Sequence, residues 1–114
     1  MLEITHKTGR QFELLELFGR LETSNAEVLE SKISHIINNS KSLDIIFNLS
    51  KLEFCSSYGL RIFIKLKKDL APYEGRIFFI NSPDLFLELL DMTGLRNQFI
   101  FAGNLSDLWN KLLS

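Results

Sequence analysis

Phe54-Cys55-Ser56-Ser57-Tyr58-Gly59-Leu60-Arg61 is the stretch on which the fold turns. Upstream, Leu43–Leu49 carries Ile45-Ile46-Phe47, a compact apolar run suited to a strand covered on both sides. After a short link, Ser57–Leu70 places apolar residues at helical spacing and predicts a helix. The octapeptide therefore joins a strand to a helix, and Ser56 or Ser57 falls in its N-cap region.

Toward the N-terminus, Ala26, Leu29, Ile33, Ile36 and Ile37 form one stripe at about 100° per residue, which predicts a first helix over Ala26–Asn38. Ser24 and Glu27 have the spacing of a capping box, and Asn38-Asn39-Ser40 supplies the stop. Before that, Leu2–Thr8 and Phe12–Phe18 read as the strands of a hairpin. Toward the C-terminus, Pro72–Gly75 is a turn and Arg76–Ile80 a strand. A third helix follows, with Ser82 as cap and Pro83 first, and Thr93-Gly94 ends it. Gln98–Ala102 is a last strand, and Asn104 caps a final helix with Asp107 reciprocating.

The order β-β-α-β-α-β-α-β-α predicts a single α/β domain over residues 1–114. Its sheet would be mixed and mainly parallel, opened by an N-terminal hairpin and accompanied by about four helices. Whether the helices cover one sheet face or both is not set by periodicity.

Composition narrows the function. The 114 residues include ten Phe, and 46% of the chain is hydrophobic, enough to build a packed core rather than a disordered segment. Thirteen basic residues against fourteen acidic ones give no broad attraction to nucleic acid or anionic membrane. No apolar run approaches the length of a signal peptide or a membrane span, so direct membrane insertion is not expected and a cytoplasmic location is. Cys55 is the only cysteine, which excludes an internal disulfide and fits a reducing compartment.

Catalytic and cofactor chemistry finds no support. His6 and His35 lack partners at metal-ligand spacing, no metal site or cofactor is expected, and both histidines read as surface residues. Neither a GxGxxG nor a P-loop pattern occurs, and Glu22, Glu53, Asp69 and Glu74 come from separate segments. Cys55, beside Phe54, reads as a small buried hydrophobe rather than a nucleophile. The chain is not expected to be an enzyme.

The second predicted helix has more to say. Arg61, Lys65 and Lys68 form its polar stripe, while Lys67 sits on the apolar side between Leu60 and Phe63. The apolar arc spans roughly 200°, wider than covering one sheet requires, with Leu60 and Ile64 at its edge. That edge either meets a partner or is buried by neighbouring helices, and the wide apolar faces leave monomer and homodimer both open. At the junction itself, unpaired N–H groups and the helix dipole favour negative charge. A phosphoryl group on Ser56 or Ser57 would add about −1.5 to −2 charges there. The plainer reading is that both serines only cap the helix.

Over nearly its whole length the chain resembles a STAS domain, the fold of anti-sigma factor antagonists. The resemblance is carried by Leu2-Glu3-Ile4, Gly19-Arg20-Leu21-Glu22, Asn48-Leu49-Ser50, Phe54 to Arg61, and Leu89-Leu90-Asp91-Met92-Thr93-Gly94-Leu95. It implies a partner switch. The unphosphorylated antagonist binds an anti-sigma factor that is also a serine kinase with a histidine-kinase-like ATPase fold, and so releases the sigma factor. Phosphorylation ends that binding and a serine phosphatase restores it. ATP belongs to the kinase. The family pattern before Gly-Leu is Asp-Ser-Ser or Ser-Ser-Ala, where this chain has Ser56-Ser57-Tyr58. On that basis Ser57 is the first phosphoacceptor and Ser56 the second. Tyr58, Gly59, Leu60, Arg61, Ile64 and Glu22 are the implied partner contacts. An alternative is a STAS interaction subunit of a signalling or membrane-transport complex that works without phosphorylation.

Overall fold

The first strand, β1 (Leu2–Thr8), pairs antiparallel with β2 (Glu13–Leu21) in one unbroken register, from Leu2 opposite Gly19 to Thr8 opposite Glu13. The computed structural model describes residues 1–39 and 44–113. Ser40 and Leu43, to which the sequence reading assigned a helix stop and a strand start, lie outside the described residues.

From β2 the chain enters α1 (Ala26–Asn39), then β3 (Ile45–Cys55), α2 (Ser57–Leu70), β4 (Ile77–Ile80), α3 (Asp84–Thr93), β5 (Ile100–Ala102) and α4 (Leu105–Leu113). Single 3-10 turns at Ala71–Tyr73 and Arg96–Gln98 lead into the last two strands. Among the described residues the sheet has five strands in the order β1-β2-β3-β4-β5, parallel from β2 onward. The expected mixed α/β architecture with its opening hairpin and four helices is the one observed.

Alternation along the strands divides the core between two faces. Leu15 and Leu17, Phe47 and Leu49, and Ile77 and Phe79 point to one face, where α1, α2 and α3 pack through Leu29, Ile33, Phe63, Leu66, Phe86 and Leu90. Ile46, Phe78 and Ile80 point to the other, which α4 covers with Leu108 and, at its margin, Trp109. Periodicity could not choose between one covered face and two. The strands could, because β4, flanked by β3 and β5, is buried at all four positions.

Several boundaries differ from expectation for physical reasons. β3 runs through the supposed link to Cys55, because it stays paired with β2 across two bulges, each adding one β3 residue, opposite Glu16–Phe18 and again opposite Gly19–Arg20. Only Ile45–Asn48 also has β4 on its other side. Beyond that point β3 is a two-stranded extension in which Ser50, Lys51, Glu53 and Phe54 are exposed, so its apolar signal fades while the strand continues. The helix α1 begins at Ala26 without the Ser24–Glu27 box. Asn25 holds the turn instead, accepting from Glu22 N–H at 2.9 Å and donating to Arg20 O at 2.9 Å. The helix α3 starts one residue later than expected, with Pro83 as cap and its carbonyl accepting from Phe86 and Leu87. His35 is exposed as expected, but His6 is not a plain surface residue: its Nε2 lies 2.9 Å from Oε2 of buried Glu13. Lys67 escapes the apolar side by extending its ammonium to 6.0 Å from the Phe99 ring.

Candidate functional site

The junction is built by two backbone bonds and one side-chain bond. Leu21 and Cys55 stand opposite each other at the end of the β2–β3 ladder, and Ser56 N–H continues it by donating to Leu21 O at 2.9 Å. Ser56 then takes an extended conformation (φ −79°, ψ 163°) and caps α2, its Oγ accepting from Gly59 N–H at 3.0 Å. Its carbonyl accepts from Leu60 N–H at 3.1 Å, the first bond of the helix. The two serines are thereby separated in role. Ser56 is half-buried with its hydroxyl engaged in the cap, whereas Ser57 is the first helical residue and exposed.

At Gly59, α2 packs tightly against Leu21 of β2. A Cβ at this position would lie 2.8 Å from Leu21 Cγ and 3.2 Å from Leu21 O, and Leu21 is fully buried. Helix and strand can meet here only without a side chain. Gly59→Ala should therefore cost about 1–3 kcal/mol of stability in chemical unfolding, despite alanine's better helix propensity. A neutral or stabilising outcome would show that the junction can open to admit a methyl group.

Partner contact was expected of six residues, and the structure sorts them. Tyr58 is 43% exposed, Arg61 is exposed, and Ile64 and Glu22 are half-buried. Gly59 and Leu60 are buried, Leu60 at 2%, so neither offers a side chain to a partner. Leu60 belongs to the core face because the helical arc turns it onto the sheet beside Phe63 and Ile62. At that half of the edge, burial by neighbours has won.

The exposed members surround a groove of about 400 Å3 between α1 and α2, walled by Glu27 and Glu30 on one side and Tyr58, Arg61, Ile64 and Lys65 on the other. Lys65 Nζ reaches Glu30 Oε1 across it at 3.6 Å. The Arg61 guanidinium lies 5.7 Å from the Tyr58 ring. On the strand side, Arg20 sits 4.4 Å over the Phe54 ring and pairs with Glu22 at 3.1 Å. Arg20, Phe54, Glu30 and Lys65 were missed from sequence. Arg20 and Phe54 become neighbours only through the register that sets them opposite each other, in the part of β3 that carries no strand signal.

The chemistry this surface can perform is recognition. Cys55 Sγ is held 3.4 Å from Ser56 O, and burial pushes its thiol up to about 12. A thiol so shifted stays protonated at neutral pH and is a poor nucleophile. Iodoacetamide at pH 8 should therefore label native Cys55 at least about a hundredfold more slowly than the urea-unfolded chain. The same shift sets a direction for stability. Below the unfolded thiol's value of 9.0 Cys55 has no pH effect, and from there to about 12 the unfolded state loses the proton first, so folding weakens as pH rises. Among the described residues, no group of three or more His, Cys, Asp or Glu side chains could hold a metal ion. Nor is any described helix long and apolar enough to cross a membrane.

Comparison with known proteins agrees with this architecture. The family model described as the STAS domain matches residues 4–108. The anti-sigma F factor antagonist of Lysinibacillus sphaericus is 28% identical over 86 residues, covering 75% of this chain and 74% of that protein. Among solved structures, the unphosphorylated form of the anti-sigma factor antagonist SpoIIAA superposes with a TM-score of 0.80 at 21% identity, over 98% of this chain and 96% of that one. An anti-sigma factor antagonist from Mycobacterium paratuberculosis gives a TM-score of 0.85 at 19% identity, over 100% of this chain and 96% of that one. At these identities the structural likeness concerns the fold.

Proposed function

Because the chain belongs to the STAS domain family, we propose that it is an anti-sigma factor antagonist whose partner binding is switched by phosphorylation of Ser57. The observation that carries the reading is the division of labour at the junction. The Ser56 hydroxyl is engaged in capping α2, while Ser57 stands exposed, next in the chain to Tyr58, which lines the α1–α2 groove. A kinase acting on Ser57 would leave the cap intact. A kinase acting on Ser56 would first have to break it.

The unmodified surface around Ser57 suits a protein partner. Tyr58 and the edge of Phe54 supply apolar area, and Arg20, Arg61 and Glu22 frame it with charges of both signs. Such mixed aromatic and arginine surfaces are where binding energy concentrates. The partner is an anti-sigma factor that is itself a serine kinase using its own ATP, and a serine phosphatase resets the switch. The chain is ligand and substrate, and performs no catalysis.

The test is to incubate the protein with such a kinase and ATP, map the phosphate by mass spectrometry, and measure complex formation before and after. Phosphate on Ser57, lost in Ser57→Ala and retained in Ser56→Ala, is the expected result. A stable complex with no phosphate on either serine would replace the switch with the phosphorylation-independent reading.

A further inference from the structure

We propose that two copies of this chain dimerise by antiparallel self-pairing of β1 about Thr5, joining two five-stranded sheets edge to edge. Among the described residues β1 is an outer strand of the sheet, bonded on one side only, to β2. The direction of its remaining backbone groups follows from the two ends of the hairpin. Arg20 N–H donates to Met1 O at 3.1 Å, and Gly9 N–H donates to Phe12 O at 2.8 Å. The register sets Met1 opposite Arg20 and Gly9 opposite Phe12, so the odd-numbered residues of β1 turn their polar groups toward β2. Leu2, Ile4, His6 and Thr8 therefore turn theirs outward, to the open edge.

A two-fold axis through Thr5 uses those groups completely. It sets Ile4 opposite His6 and Leu2 opposite Thr8 as hydrogen-bonded pairs, for about eight new backbone bonds by symmetry. Glu3 then falls opposite Lys7 of the second copy, twice, in non-hydrogen-bonded pairs, where facing side chains stand closest. Shifting the axis to Ile4 sets Glu3 against Thr5, and shifting it to His6 sets Lys7 against Thr5. Only the axis through Thr5 brings opposite charges together.

Both charges are available for this. Glu3 and Lys7 are exposed, and within the hairpin they stand across from uncharged Phe18 and Leu14. Neither takes part in an ion pair among the described residues. Charges on an outer strand usually discourage pairing with other chains. Here they discourage strangers and match a second copy, which is the self-complementarity an isologous interface requires.

The test is sedimentation velocity over a concentration series, with far-UV circular dichroism to verify the fold. The wild-type chain is expected to self-associate. E3K and K7E each put two like-charged pairs across the axis and should weaken association roughly tenfold. The double variant E3K/K7E should restore it. An equimolar mixture of E3K and K7E should form heterodimers, since every facing pair then carries opposite charges, and should do so less well at high salt. A wild-type chain that stays monomeric throughout overturns the proposal. So does a folded double variant, or a mixture of folded single variants, that associates no better than the single variants alone.

Discussion

Phe79→Ala is expected to remove about 3–5 kcal/mol of folding stability, a large share of the roughly 5–15 kcal/mol typical of such domains. Phe79 lies on β4, between β3 and β5, at 0% exposure, with ring centroids of Phe63 and Phe86 at 5.1 Å, Phe99 at 5.2 Å, and Phe47 and Phe101 at 5.6 Å. These rings come from three strands, two helices and the residue leading into β5, so one truncation loosens every layer on the α1–α3 face. Relaxation into the cavity is limited because the neighbours are held by one another. Urea unfolding reads the effect as a lower midpoint at unchanged m value. Phe79→Leu, which keeps most of the volume, should lose less than half as much. Equal losses for Leu and Ala would assign the stability to ring-edge contacts rather than to filled volume. Tyr73→Ala, at a site 64% exposed, should shift stability by no more than about 0.5 kcal/mol.

The same aromatic cluster shows why most of the fold was legible in the sequence. Ile45-Ile46-Phe47 and Ile77-Phe78-Phe79-Ile80 are apolar at consecutive positions, a pattern that a strand covered on both faces needs and a half-exposed strand does not. The limits of α2 were readable because a cap residue, an apolar stripe and Pro72 all point to the same boundaries. Legibility failed where local pattern stops controlling structure. Ser50–Cys55 forms strand because β3 takes up one extra residue at each of two bulges and so stays paired with β2, and each extra residue breaks the two-residue alternation on which a strand signal depends. At α1, Ser24 satisfied the capping pattern, but the bonds of Asn25 to Glu22 and Arg20 hold the turn one residue further on.

The candidate site was half legible for a related reason. Helical spacing placed Leu60 and Ile64 together at the edge of an apolar arc, but it could not say how far the sheet reaches under that edge. Leu60 is covered and Ile64 is not fully so. The cap was ambiguous between Ser56 and Ser57 because either can precede a helix. The Ser56 Oγ to Gly59 N–H bond resolves it, and in doing so separates the structural serine from the one that modification could reach.

That separation makes Ser57→Asp the most informative single substitution. A carboxylate at the first helical position meets the positive end of the α2 dipole, so stability should stay unchanged or rise by about 0.3–1 kcal/mol. Under the proposed switch, affinity for the kinase-type anti-sigma partner should fall by roughly 30-fold or more, because a fixed negative charge is buried in the contact without a matching cation. Ser57→Ala should bind like the wild type yet resist inactivation by kinase and ATP. Ser56→Ala should behave oppositely: the lost cap costs about 1 kcal/mol, while binding remains switchable. Loss of binding without loss of stability is the signature that separates a regulatory serine from a capping one. If Ser57→Asp binds as tightly as the wild type, the exposed serine is not the switch, and contact at this junction must be controlled by something other than its charge.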